Sequence, residues 1–175
     1  MKRAFFLVSG IAALICLTHQ TGHAADEMKG REVGDVLKHL TDKELIKLRS
    51  GRGEGVDEAT AKLKAAEVSK DTAFVLKVGK MEEWDFPNQG NVEGWRTKGI
   101  PERLRAAGLY IETNMILYIK KEALTQEGLD IVKKHRSGNK LLLAGRVSRC
   151  IIIQTNAGQT ELHIDLQVSS ISEAR

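Results

Sequence analysis

Trp84, Phe86 and Trp95 bracket a loop of turn-forming residues, Asp85-Phe86-Pro87-Asn88-Gln89-Gly90-Asn91, and Arg96 and Lys98 follow at once. Aromatic rings beside cations do one kind of chemistry well: the rings stack on flat ligands while the cations pair with anions. Such a set suits a protein or peptide, a sugar ring, or single-stranded nucleic acid, whose bases stack and whose phosphates pair. Tyr110 and Tyr118 add rings farther along the chain. Trp84, Phe86, Trp95, Arg96, Lys98 and Tyr118 are therefore the candidate ligand-binding residues. The competing role for a tryptophan at a strand end is to plug the core.

Other chemistries find less. His163 and Asp165 alternate with apolar residues and so share one strand face, as metal ligands do, with Arg146 or Ser148 placed across from them. One histidine and one carboxylate are a thin ligand set, and a solvated outer face explains them more simply. Ser148 lacks a G-x-S-x-G context, and Cys150 has no identifiable histidine partner. The alternate glycines of Gly51-Arg52-Gly53-Glu54-Gly55 follow no strand and lack a Gly-Lys-Ser/Thr ending, so they read as a connector. No enzyme activity, metal or cofactor is expected.

The elements that must position these residues are clearest at the end of the chain. Asn139 to Ser172 reads as two long strands around Thr155-Asn156-Ala157-Gly158, with Leu162, Ile164, Leu166 and Val168 alternating against His163, Asp165, Gln167 and Ser169. Ahead of them, Thr125 caps a helix to about His135, and the basic residues at its end suit the helix dipole. Tyr110 to Ile119 and Thr72 to Glu83 have strand composition, and 94–100 reads as a short strand. Pro101 followed by Glu102-Arg103-Leu104-Arg105-Ala106-Ala107 predicts one or two helical turns. Two short helices are expected between Asp26 and Ser50, the second opened by the capping box Thr41-Asp42-Lys43-Glu44, and a third over Asp57 to Val68.

The chain of 175 residues begins Met1-Lys2-Arg3, continues in an apolar run from Ala4 to Leu17, and reaches Gly22 and Ala24. That is the layout of a cleavable signal peptide, cut near Ala24, and it predicts a secreted or periplasmic product without a membrane span. Lys2 and Arg3 supply two of the four net positive charges, so the basic pI of the full chain is weak evidence for a polyanion partner. Cys150 would then stand alone and reads as a small buried hydrophobe.

Three strands, a helix and two strands is the order of an OB-fold, a five-stranded Greek-key barrel. The run Gly138-Asn139-Lys140-Leu141-Leu142-Leu143-Ala144-Gly145-Arg146-Val147 resembles the opening of the fourth strand in exported proteins of the tRNA-anti-like OB family, and Leu166 to Ile171 is similar to its closing strand. Gly145 suits a strand that must bend sharply. The expected architecture is α+β: a signal peptide over 1–24, helices over 25–68, and an OB-like barrel over 69–175 with a helix between its third and fourth strands. The resemblance implies ligand binding on the face of strands two and three and in nearby loops. The expected function is an exported, non-enzymatic binding protein for a protein, peptide or oligosaccharide. Single-stranded nucleic acid is the alternative, and a structural envelope role without a discrete ligand the second.

Overall fold

The alternating apolar residues of the C-terminal half form two long paired strands, as their period requires. A computed structural model describes residues 29–49, 53–86 and 92–174. The leader-like segment with its cleavage point near Ala24, and residues 87–91 of the aromatic loop, lie outside the described residues. The strands are β1 (Asp71–Lys77), β2 (Glu82–Phe86), β3 (Val92–Lys98), β4 (Arg103–Ala106), β5 (Leu109–Lys120), β6 (Lys140–Gln154) and β7 (Thr160–Glu173). The helices are α1 (Asp42–Arg49), α2 (Gly53–Glu67) and α3 (Gln126–Lys134), preceded by a 3-10 helix over Val33–His39.

The sheet order is β1-β6-β7-β5-β3-β2, with β4 added to β5. All pairs are antiparallel except β5 with β7. This is an OB-like, mixed α+β arrangement, but the five-stranded barrel expected from the sequence is corrected in two ways. Among the described residues there are seven strands, and the ladder stays open, with β1 and β2 at its two ends and the bridge Val78↔Gly99 near the gap. The expected continuous strand over Thr72 to Glu83 breaks after Lys77, where the Val78 and Gly79 amides turn to Asn139 and Lys98 carbonyls instead.

The predicted helical turns after Pro101 are also corrected. Arg103 to Ala106 pairs with Leu109 to Glu112, and Ala107 and Gly108 take φ of 47° and 76° in the two-residue turn between them. Cross-strand pairing outweighs the helix propensity of Leu-Arg-Ala here, and Gly108 lowers the cost of the left-handed turn. The third helix begins at Gly53 rather than Asp57, through the glycines read as a connector.

Local signals hold elsewhere. The Thr41 amide donates to Glu44 Oε2 (2.7 Å) and the Glu44 amide to Thr41 Oγ1 (3.4 Å), completing the capping box. Lys62 Nζ, together with Thr41, holds the Glu44 carboxyl down to about 2. The Gly128 amide donates to the Thr125 hydroxyl (3.3 Å). One apolar cluster joins Val36, Leu48 and Leu63 of the helical segment to Phe74, Leu117, Leu143 and Leu166 of the sheet. Each of these seven loses essentially all its solvent contact, worth about 1.5–3 kcal/mol per large side chain.

The helical segment also closes a sheet edge. The Thr60 hydroxyl donates to the Ile152 carbonyl (3.3 Å) and accepts from its amide (3.0 Å), and Gln154 Nε2 donates to the Leu48 carbonyl (2.7 Å). Backbone groups on β6 that would template another strand are thereby paired.

At Gly145 the pairing of β6 with β7 shifts register, and a Cβ there would stand 2.1 Å from the Gln167 carbonyl oxygen and 2.8 Å from Val168 Cα. Both are backbone atoms of an inner strand, so neither yields cheaply. Gly145→Ala is expected to cost about 1–3 kcal/mol. A thermal melt reads it, and an unchanged midpoint would mean that β6 can move away without penalty.

Candidate functional site

Alternation sends one set of side chains from each strand to the outer face, and the register lines them into a row. Glu82 of β2 pairs with Arg96 of β3, Arg96 with Tyr118 of β5, Tyr118 with Gln167 of β7, Gln167 with Arg146 of β6, and Arg146 with Asp71 of β1. Residues far apart in sequence thus meet across the whole width of the sheet. A parallel row places Lys98, Ile116, Asp165 and Arg149 beside it.

A groove of about 580 Å³ opens over the first row, lined among others by Trp84, Phe86, Tyr118, Lys120, Arg146 and Gln167. Its wall is a stack. The Arg96 guanidinium carbon lies 5.0 Å from the Trp84 ring centroid and 5.8 Å from that of Tyr118. Phe86 meets Tyr118 with centroids 6.4 Å apart at 60°, and Lys120 Nζ is 5.9 Å from the Phe86 ring. Cation–π contacts of this kind contribute about 0.5–1 kcal/mol each when exposed. Their larger effect is to hold Arg96 over the rings, so that rings and positive charge are presented together.

Across the groove, Arg146 Nε donates to Asp71 Oδ1 at 3.2 Å. Both side chains are well exposed, so water screens the pair and an anionic ligand can compete for Arg146. Asp165 lies lower in the face, 4.0 Å from Arg149. Burial pushes its carboxyl above the usual range, and Arg149, His163 and Arg96 pull it back only in part.

The structure brings together Trp84, Phe86, Arg96 and Tyr118 of the six candidates. Phe86 is buried and forms the floor, while Trp84 and Tyr118 are half-buried. Lys98 is exposed on the same side of β3 as Arg96 but lies beyond the groove lining. Trp95 is a correction. It pairs with Glu83 on the opposite face, packs against the core, and lines a separate cleft with Glu83, Asp85 and Glu93. On the β2–β3 ribbon Arg96 and Lys98 thus lie on the groove side with Glu82 and Trp84, and Glu83, Asp85 and Glu93 surround Trp95 on the other.

Lys120 was not among the candidates, and Arg146, expected across from His163 and Asp165, instead stands opposite Gln167, with Arg149 opposite Asp165. Lys120 shares the strand parity of Tyr118, a signal present in the sequence; Arg146 needs the β6–β7 register. His163 and Asp165 do share a face, but His163 Nε2 is engaged by Glu161 Oε2 at 2.6 Å. Among the described residues no group of three His, Cys, Asp or Glu is arranged to hold a metal. Cys150 is buried in the core, where burial pushes its thiol up to about 12. Among the described residues no helix is long and apolar enough to cross a membrane.

No protein-family model and no curated protein matches this sequence. The resemblance stands at the level of the OB-like arrangement described above rather than of the tRNA-anti-like exported type. Solved structures with a similar arrangement include the small single-stranded DNA-binding protein from Streptomyces coelicolor, at 13% identity and a TM-score of 0.38 over 61% of this chain and 94% of that one. The mitochondrial single-stranded DNA-binding protein Rim1 from S. cerevisiae is similar at 11% identity and a TM-score of 0.33, over 61% of this chain and 95% of that one.

Proposed function

We propose that the outer-face groove binds single-stranded nucleic acid, with bases against Trp84 and Tyr118 and phosphates at Arg96, Lys120 and Arg146. The observation that carries this reading is the Arg96 stack on Trp84 and Tyr118 beside a groove edged by two further cations. Stacking is tolerant of base identity and the cations track a backbone, so the groove suits a strand without sequence preference. The expectation of a protein, peptide or oligosaccharide partner is corrected accordingly. The two similar solved structures named above are single-stranded DNA-binding proteins, and Lys120 and Arg146 line the groove beside Arg96. The weak net charge that argued against nucleic acid is an average over the chain, whereas Arg96, Lys98, Lys120, Arg146 and Arg149 gather on one face and outnumber Glu82, Asp71 and Asp165 of the same rows. Stacking surfaces and fixed cations serve holding rather than bond-making, which supports a non-enzymatic role.

The test is a tryptophan-fluorescence titration with oligothymidylate and oligouridylate at two salt concentrations. Saturable quenching is expected. Three phosphate contacts predict that the logarithm of the association constant falls by about 2 per decade of salt. No saturable change, or binding indifferent to salt, would overturn the proposal.

A further inference from the structure

We infer that the same face carries a second base-stacking station, built from Tyr110, Arg103 and Arg105, and that one nucleic-acid strand runs along β5 to reach both. This rests on the reading of the groove as a single-strand site and extends it to a length requirement. Tyr110 is one of the few large hydrophobic side chains left exposed, at 51%. It is not idle: the guanidinium carbons of Arg103 and Arg105 lie 4.5 Å and 5.9 Å from its ring centroid. One ring beside two cations uses the same cation–π contact as Arg96 beside Trp84 and Tyr118, with the numbers of rings and cations exchanged, on residues the groove does not include.

The position fits a continuous path. Tyr110 and Tyr118 are both even-numbered residues of the unbroken strand β5, so they share its outer face. Eight residues at roughly 3.3 Å separate them by about 26 Å. A stacked single strand advances about 3.4 Å per nucleotide and would need about eight nucleotides to span this, an extended strand fewer. That lies within the roughly 4–16 nucleotides known for one OB unit.

A cavity of about 350 Å³ adjoins Tyr110, walled by Arg103, Gly158, Gln159 and Thr160. The turn on its far side is tied down: the Gly158 amide donates to the Thr155 carbonyl and the Gln159 amide to the Thr155 hydroxyl. A base entering beside Tyr110 therefore meets a preformed wall. Glu112 lies on the path, but Arg103 is its register partner on β4 and offsets its charge toward a passing phosphate.

Labelled oligothymidylates of about four to about twelve nucleotides, followed by fluorescence anisotropy, test this on the full chain. Wild-type affinity is expected to step up once the oligonucleotide reaches both stations. Tyr110→Ala should remove that step, weakening the longest ligand about fivefold or more while leaving the shortest unchanged, and Tyr110→Phe should restore it. Replacing Arg103 and Arg105 by Gln should lower the salt slope for long ligands by about 1.4. If Tyr110→Ala keeps the wild-type length dependence, the second station is refuted while the groove stands. If wild type binds no oligonucleotide of any length, the groove reading itself fails and this inference with it.

Discussion

Trp84→Ala is expected to weaken binding of a single-stranded oligonucleotide by roughly 5- to 150-fold, the equivalent of about 1–3 kcal/mol for a lost stacking partner. Two effects combine. The ring that a base would lie on disappears, and Arg96 loses the surface 5.0 Å away over which it is held. Arg96 then samples more rotamers, and fixing it against a ligand costs entropy that the native stack has already spent. Trp95→Phe is the matched control. Trp95 packs on the core side of the same ribbon beside Glu83 and Glu93, so its replacement leaves the groove contacts in place and should change affinity by less than about twofold. Anisotropy of a labelled ligand reads both variants without relying on the residue removed. Equal losses in the two would mean that the face assignment is wrong; no loss in either would remove Trp84 from the site.

Why Trp84 and Trp95 fall on opposite faces is a matter of register. Alternation within a strand is local, so the outward set of β7 was legible from Leu162, Ile164, Leu166 and Val168 alone. Which face Trp95 takes relative to Trp84 depends on how β2 meets β3 across the loop, and the pairs Glu83↔Trp95 and Trp84↔Gly94 put the two indoles on opposite sides. A shift of one residue would have reversed the result. The partner of Arg146 was illegible for a stronger reason: irregularities at Ala144/Gly145 and Val147/Arg149 reset the β6–β7 register, so that Arg146 meets Gln167 and Arg149 meets Asp165, and those are tertiary events. Gly145 itself could be read as a point of irregularity, a sharp bend, and the structure shows there a register shift and a close approach of the Gln167 carbonyl. The capping box of Thr41 and Glu44 and the Thr125 cap were likewise local. The strand Arg103–Ala106 was not, because its residues favour a helix until β5 offers them partners.

Glu67→Ala is expected to cost about 3–5 kcal/mol, a large part of the 5–15 kcal/mol that holds a typical domain. The Glu67 side chain is 3% exposed, and it receives both Arg31 terminal nitrogens and, at 2.7 Å, His39 Nε2. Arg31 in turn lies 4.7 Å over the Phe74 ring, and its backbone bridges to β1 through the Ala73 carbonyl and the Val75 amide. One carboxylate therefore ties the N-terminal segment and α2 together at the edge of the sheet, and β1, which ends that sheet, carries Asp71 of the groove. Removing it leaves the Arg31 charge partly buried without its partner. The melting midpoint should fall by roughly 6–20 °C. The pH dependence separates this account from simple loss of packing. Burial alone would raise the Glu67 carboxyl, but hydrogen bonding and charge from Arg31, with His39, outweigh it and hold the group below its ordinary value of 4.5. The folded protein thus takes up this proton less readily than the unfolded chain does. The stabilisation is complete above the ordinary value, shrinks as pH falls below it, and is gone below the lowered one. Between about pH 5 and pH 3 wild type should lose stability faster than Glu67→Gln, whose amide keeps the shape but cannot titrate. Parallel melting curves for the two proteins across that interval would show the carboxylate has no such role.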